Sequence, residues 1–387
     1  MESTSPWKDD KWVPGVLNKS QMIALIDAHI LLGIGKDEAT KDIDEDASAI
    51  DLRLGNEGFR MSKGSIKPFN KSYNDILSDN EYAEKLEVNQ DETFWLNKGE
   101  CYIFRIKEKL NSERIKTAPI YGQATAKSSV GRVDLIARLI VDGMKEYETF
   151  NPEKVDSGEM FVEITPITFN VKVKEGKSVS QLRFFYGKVE DSIITDLTFI
   201  SSVLNLPDGE LNQGTLSVDI SNVILKTKEE AAAFKAKDNF EEYFELWASG
   251  KYDPTESWTI VKVNDVGTLK SVTIEKDKFY ILRSKERISL PENVCIYCRA
   301  MDETLGEMRI HYAGFVQPRF GLDRADGKSG APLIFEVRGH NVNVLLTHGE
   351  ILARLFFYRM SKSVVEGPSS YSEQELKLSK IFKEVWS

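Results

Sequence analysis

The sequence predicts a mainly β fold with peripheral helices, arranged as two tandem copies of one domain. Short runs of alternating apolar and polar residues, separated by Gly, Asn and Asp turns, recur through both halves. The stretch VEITPITFNVKVKEGKSVSQLRFF (162–185) aligns without a gap on FEVRGHNVNVLLTHGEILARLFFY (335–358), 173 residues later. At 387 residues, 41% hydrophobic and 10% aromatic, the chain is long enough to bury two cores.

Taken in order, the N-terminal MESTSPWKDDKW has no apolar leader core, and no run approaches about 18 apolar residues, so a soluble, cytoplasmic protein is expected. KSQMIALIDAHILLG (19–33) has the apolar spacing of a helix, and GEMFVEITPITFNVKV (158–173) alternates as strands do. KEEAAAFKAKDNFEEYFELWASG (228–250), rich in helix formers and closed by Gly250, predicts a second helix. KSVTIEKDKFYIL (270–282) and HNVNVLLTHGEILARLFFYRM (340–360) return to strands. The expected domains are residues 1–190 and 191–387.

Within the repeat, Glu163 meets Glu336, Asn170 meets Asn343, Val171 meets Val344, Gly176 meets Gly349, Leu182 meets Leu355 and Phe184 meets Phe357. Glu and Asn are depleted in strands, so their coincidence exceeds what shared strand propensity supplies. Further upstream, at an offset of 175, KSSVGR (127–132) faces DETLGE (302–307). Ser128 becomes Glu303, Ser129 becomes Thr304 and Arg132 becomes Glu307. The first loop offers hydroxyls, Gly131 and two cations to phosphate oxygens, whereas the carboxylates of the second repel them.

A net charge of −10 argues against a nucleic-acid binder, so any phosphate site must be local. The three cysteines, Cys101, Cys295 and Cys298, are too few for a disulfide framework. CIYC (295–298) and HGE (348–350) imitate parts of a zinc-deaminase signature, but in the wrong order and without the proline that should precede the first cysteine, so no metal ligands are assigned. His311 and His340 read as structural hydrogen-bonding residues.

Four segments, GVLNKSQMIALID…AIDLRLG, KSSVGR, HYAGFVQPRFG and YSEQELKLSK, resemble in this order the dCTP deaminase branch of the dUTPase-like trimeric family, and the whole chain resembles its long, duplicated bacterial form. The resemblance implies tandem dUTPase-like distorted β-barrel or jelly-roll domains and sites between adjoining domains. It also implies a homo-oligomer (trimer or higher) and Mg²⁺ carried on the nucleotide triphosphate. The implied reaction is zinc-independent hydrolysis of the cytosine 4-amino group, taking dCTP to dUTP and ammonia, with no nucleic-acid or membrane partner.

Carried over by residue, Lys127, Ser128 and Ser129 match the triphosphate loop, and Ser128 and Arg132 match the pair that positions the catalytic water and carboxylate. The general acid/base matches Glu163 or Glu336. The hairpin residues Ala313, Val316 and Gln317 fall against base and sugar, while the N-terminal counterpart ARLIVDG puts Arg138 where a base would need room. Tyr371, Gln374 and Lys377 match a tail that folds over the phosphates. The expected site is therefore composite: the loop from the first half, Ala313 and Glu336 from the second. Gln317-Pro318-Arg319 replaces the family's Asp-Pro-Gly, which motivates a non-catalytic nucleotide sensor as one alternative; a dUTP diphosphatase or a bifunctional enzyme is another, against which Gln317 and Phe320 argue.

Overall fold

The computed structural model describes residues 5–9, 11–67, 72–266, 269–302, 310, 314–322, 327, 329–365 and 374–386. Two nine-stranded sheets, each curled toward a barrel, organise it. In the first, the strands run in the order Thr149–Phe150, Ile120–Ala126, Ser178–Tyr186, Ile50–Met61, Tyr102–Ile106, Met160–Pro166 and Leu135–Val141. The second runs Trp258–Val261, Ala233–Ala236, Phe279–Ile288, Thr215–Asp219, Ile351–Arg359, Val294–Ala300 and Gly314–Val316, with Ala331–Arg338 paired to Phe279–Ile288.

The repeat is structural. Asn170–Val173 and Ser178–Tyr186 recur as Val344–Thr347 and Ile351–Arg359. Gly176 and Gly349 hold φ of +76° and +84°, a left-handed turn geometry open to glycine at little cost. The two asparagines coincide because each ties down a backbone amide of a preceding loop. Asn170 Oδ1 accepts from the Lys98 backbone N–H at 2.9 Å, and Asn343 Oδ1 from that of Lys276 at 2.8 Å.

The first expected helix forms at Lys19–Asp27, with Asn18 and Gln21 closing a reciprocal capping box at its start. The second does not. Residues 228–250 fold instead as the strands Glu230–Ala231, Ala233–Ala236 and Tyr243–Glu245. Ala233–Ala236 is an inner strand, hydrogen-bonded to Trp258–Val261 on one side and Phe279–Ile288 on the other, and Ala231, Ala232, Ala233 and Phe234 are all buried. Pairing on both edges and burial on both faces outweigh the modest helical preference of alanine.

The two halves interpenetrate. Tyr243–Glu245 adds in parallel to Asn170–Val173 of the first half. One hydrophobic cluster joins Leu52, Leu139 and Leu182 to Phe234, Trp258 and the tail residues Leu376, Phe382 and Trp386, whose indole stacks on Phe234. Among the described residues, no helix is long and apolar enough to cross a membrane.

Candidate functional site

The strand Ile120–Ala126 runs out at Lys127 into a single helical turn, Ser128–Gly131, pinned from below by buried Val130 and Val133. This anchoring presents Lys127 and Ser128 toward the second half and turns Arg132 inward. Arg132 donates through Nη2 to Gln374 Oε1 at 3.0 Å and through Nη1 to the Leu378 carbonyl at 3.5 Å, and its Nε lies 3.9 Å from Glu336 Oε1.

Glu336 stands on the strand Ala331–Arg338, registered opposite Ile281 and only 8% exposed. Burial raises its pKa from the ordinary carboxylate range to about 7, against the opposing pull of the Arg132 guanidinium. The two groups share a cavity of about 120 Å³. Lys127, Ser128 and Gln181 enter it from the first half, and Phe315, Val316 and Gln317 from the second. Both halves of one chain thus build it.

Beyond Lys127 and Gln317 the cavity opens into a polar recess of about 580 Å³. Its cations are Arg53, Lys127, Lys177 and Lys380, with Ser128 and Ser129 also lining it, and Asp42, Asp44, Asp46 and Asp51 share the same walls. Lys127 is ion-paired with Asp51. Between the two spaces, Gln317 Oε1 accepts from the backbone N–H of Ser48 at 2.8 Å and from its hydroxyl at 2.5 Å. Ser48 is in turn held by the fully buried Arg183, whose Nη2 donates to the Ser48 hydroxyl at 2.9 Å and whose guanidinium lies 3.9 Å from the centre of the Phe315 ring.

Of the residues expected from sequence, Lys127, Ser128, Arg132, Val316, Gln317, Glu336 and Gln374 meet in the first cavity, and Ser129 lines the recess. Lys377 does not join them: it pairs with Glu384 at 2.8 Å and borders a small pocket beside Phe382 and Trp386. Ala313, Tyr371, His311 and residues 303–307 of the second loop lie outside the described residues. Sequence reasoning missed Gln181, Lys177 and Lys380, which line the site, and Ser48 and Arg183, which hold Gln317. Of these, Gln181 and Arg183, polar residues inside one core strand, carried a local signal.

The counterpart carboxylate is differently placed. Glu163 is 2% exposed and accepts from the Ser65 hydroxyl at 2.5 Å and the Tyr147 hydroxyl at 3.1 Å. Its strand partner Arg138 lies 5.4 Å from the centre of the Tyr147 ring. Cys295 and Cys298, three apart on one strand, point to opposite faces and pack into different clusters.

Residues 13–188 match the family model for the 2′-deoxycytidine 5′-triphosphate deaminase N-terminal domain, and residues 194–382 that for its C-terminal domain. Among solved structures, the chain is similar to 2′-deoxycytidine 5′-triphosphate deaminase from Agrobacterium tumefaciens, with a TM-score of 0.76 at 25% identity, covering 90% of this chain and 96% of that one. Among curated proteins, none matches.

Proposed function

The chain belongs to the dCTP deaminase family, and from that premise we propose that it hydrolyses dCTP to dUTP and ammonia at the cavity between its halves, with Glu336 as the general acid/base. The observation that carries this reading is Glu336 itself: a buried carboxyl whose pKa lies near 7 exchanges a proton in either direction at neutral pH, and the phosphate loop of the other half opens into the same space.

In the proposed reaction, ionised Glu336 takes a proton from a water held against the Ser128 hydroxyl while the water oxygen bonds to C4. The carboxyl passes that proton to N3. From the tetrahedral carbon it then takes the remaining hydroxyl proton and delivers it to the amino group, so that the C4–N bond breaks, ammonia leaves and the uracil carbonyl forms. Arg132, held by Gln374 and the Leu378 carbonyl, fixes the carboxylate and favours its ionised form. Lys127, Ser129, Lys177 and Lys380 take the phosphates.

The recess suits a triphosphate that arrives with Mg²⁺ rather than a bare one. Its four aspartates would repel naked phosphate, and the described residues hold no group of three or more His, Cys, Asp or Glu built to keep a metal of their own. Mg²⁺ would supply charge neutralisation there, beside Asp51 and its neighbours. Incubation with dCTP or dUTP and Mg²⁺, with ammonia and pyrophosphate measured, tests the proposal. Ammonia from dCTP without pyrophosphate is the expected result; pyrophosphate from dUTP without ammonia from dCTP would make the protein a diphosphatase, and neither product would make it a sensor.

A further inference from the structure

Arg183 is fully buried on the strand Ser178–Tyr186, two residues from Gln181 of the cavity wall. Its guanidinium pairs with no carboxylate among the described residues and is satisfied by neutral groups of both halves. Nε donates to the Ser48 carbonyl at 3.3 Å and Nη2 to the Ser48 hydroxyl at 2.9 Å, while Nη1 crosses to the second half and donates to the Ile296 carbonyl at 3.1 Å. The Phe315 ring lies against the same group, with its centre at 3.9 Å. Phe315 and Val316 line the cavity of Glu336, and they belong to the three-residue strand Gly314–Val316 at the end of the second sheet, where Val316 is registered opposite Ile296. Arg183 therefore grips this end strand from the other half. A buried cation without an anion is costly, and an apolar side chain of similar volume is often the more stable choice. The repeat carries one: Phe356 holds the position of Arg183 in the second copy, so the strand itself does not require an arginine. What the planar fork of N–H donors adds is reach to two halves at once and a flat face for a ring.

We propose that Arg183 is a positioning residue of the composite site: by bonding Ser48 of the first half and Ile296 of the second while stacking on Phe315, it holds the Phe315–Val316 wall at a fixed distance from the phosphate loop, and so sets how tightly the nucleotide binds rather than how fast the C4–N bond breaks. The division follows from what holds each part. Glu336 is placed by the strand Ala331–Arg338, and Arg132 by Gln374 and the Leu378 carbonyl, none of which Arg183 touches. The inference rests on the dCTP reading above and adds to it a residue that meets neither substrate nor reacting atoms.

The test measures kcat and KM for ammonia release from dCTP in the wild type, Arg183→Met and Arg183→Lys, with urea midpoints taken on the same preparations. Methionine removes the buried charge and every donor; lysine keeps the charge but replaces the fork with a single ammonium that cannot serve Ser48 and Ile296 together. Both variants should raise KM, Arg183→Met by about tenfold, the effect of one good hydrogen bond or more, and both should keep kcat within about threefold. A purely structural role predicts the opposite split. It would lower the urea midpoint and the folded fraction, hence the apparent kcat, and leave KM unchanged because the molecules that remain folded bind normally. Unchanged KM in either variant overturns the inference while leaving deamination standing, and Arg183→Lys carries the comparison alone if Arg183→Met does not fold. No ammonia from dCTP in the wild type overturns the underlying reading instead.

Discussion

Glu163 and Glu336 occupy the same place in the two copies of one strand, yet their surroundings differ in kind. Glu163 is closed in by the hydroxyls of Ser65 and Tyr147, both from its own half. Glu336 has a cavity in front of it and a guanidinium at 3.9 Å contributed by the other half. A strand position therefore confers burial but not chemistry. The same carboxylate is a hydrogen-bonded core group where local hydroxyls reach it, and one with its pKa raised by burial beside a single guanidinium where the other half leaves space.

Removing the two carboxylates should give the widest separation. Glu336→Gln should lower kcat by about 10³-fold or more, because the amide keeps the shape but cannot cycle a proton, with dCTP affinity held within about tenfold. Glu163→Gln should leave kcat/KM within about twofold and cost about 1 kcal/mol of stability. Steady-state ammonia assays and urea denaturation report the two effects, and loss of turnover in Glu163→Gln with retention in Glu336→Gln would reverse the assignment.

Next in size is a stability effect. The folded pKa of Glu336 lies near 7, above its ordinary 4.5, so the folded state binds more protons than the unfolded one between those values. Stability from this group is present below about pH 4.5 and lost as pH rises through 7. The difference, 7 − 4.5, corresponds to about 3 kcal/mol. Urea midpoints from pH 5 to pH 8 should show this fall in the wild type and lack it in Glu336→Gln.

Arg132→Gln should reduce kcat/KM at neutral pH by some tens-fold. It should also move the rising limb of the pH–rate profile above its wild-type position near pH 7, since the pull that opposes burial is gone. A limb that stays in place would mean Arg132 does not set the carboxyl's titration. The smallest effect belongs to Ser129→Ala: about a tenfold rise in KM for dCTP, shrinking for the diphosphate and further for the monophosphate. Equal losses for all three would remove Ser129 from phosphate binding.

Much of this contrast was legible in the sequence because it rests on local composition. The loop KSSVGR, its acidic counterpart and the repeated glutamates identify themselves by residue type, and Arg138 against Ala313 separates the two hairpins. What was illegible depends on distance or burial. Whether desolvation or Arg132 governs Glu336 is set by how fully two halves close over one group. The orientation of Gln317 is decided by Ser48, 269 positions away. Lys377 and Lys380 are three apart in the same charged tail, and only the path of that tail sends one to Glu384 and the other to the recess. The alanine run at 231–233 looked helical because nothing local reveals that strands wait on both sides of it.

The tail's return to the first half also has a consequence for how the molecule is made. The Ser379 hydroxyl donates to the Ser129 carbonyl across 250 positions of sequence, and Leu376 and Phe382 complete a cluster begun by Leu17 and Leu25. At about 5–20 residues per second, a ribosome delivers that partner roughly ten to fifty seconds after the phosphate loop has emerged. Through that interval the first half must wait with the part of its apolar cluster that Leu376 and Phe382 later cover still facing water.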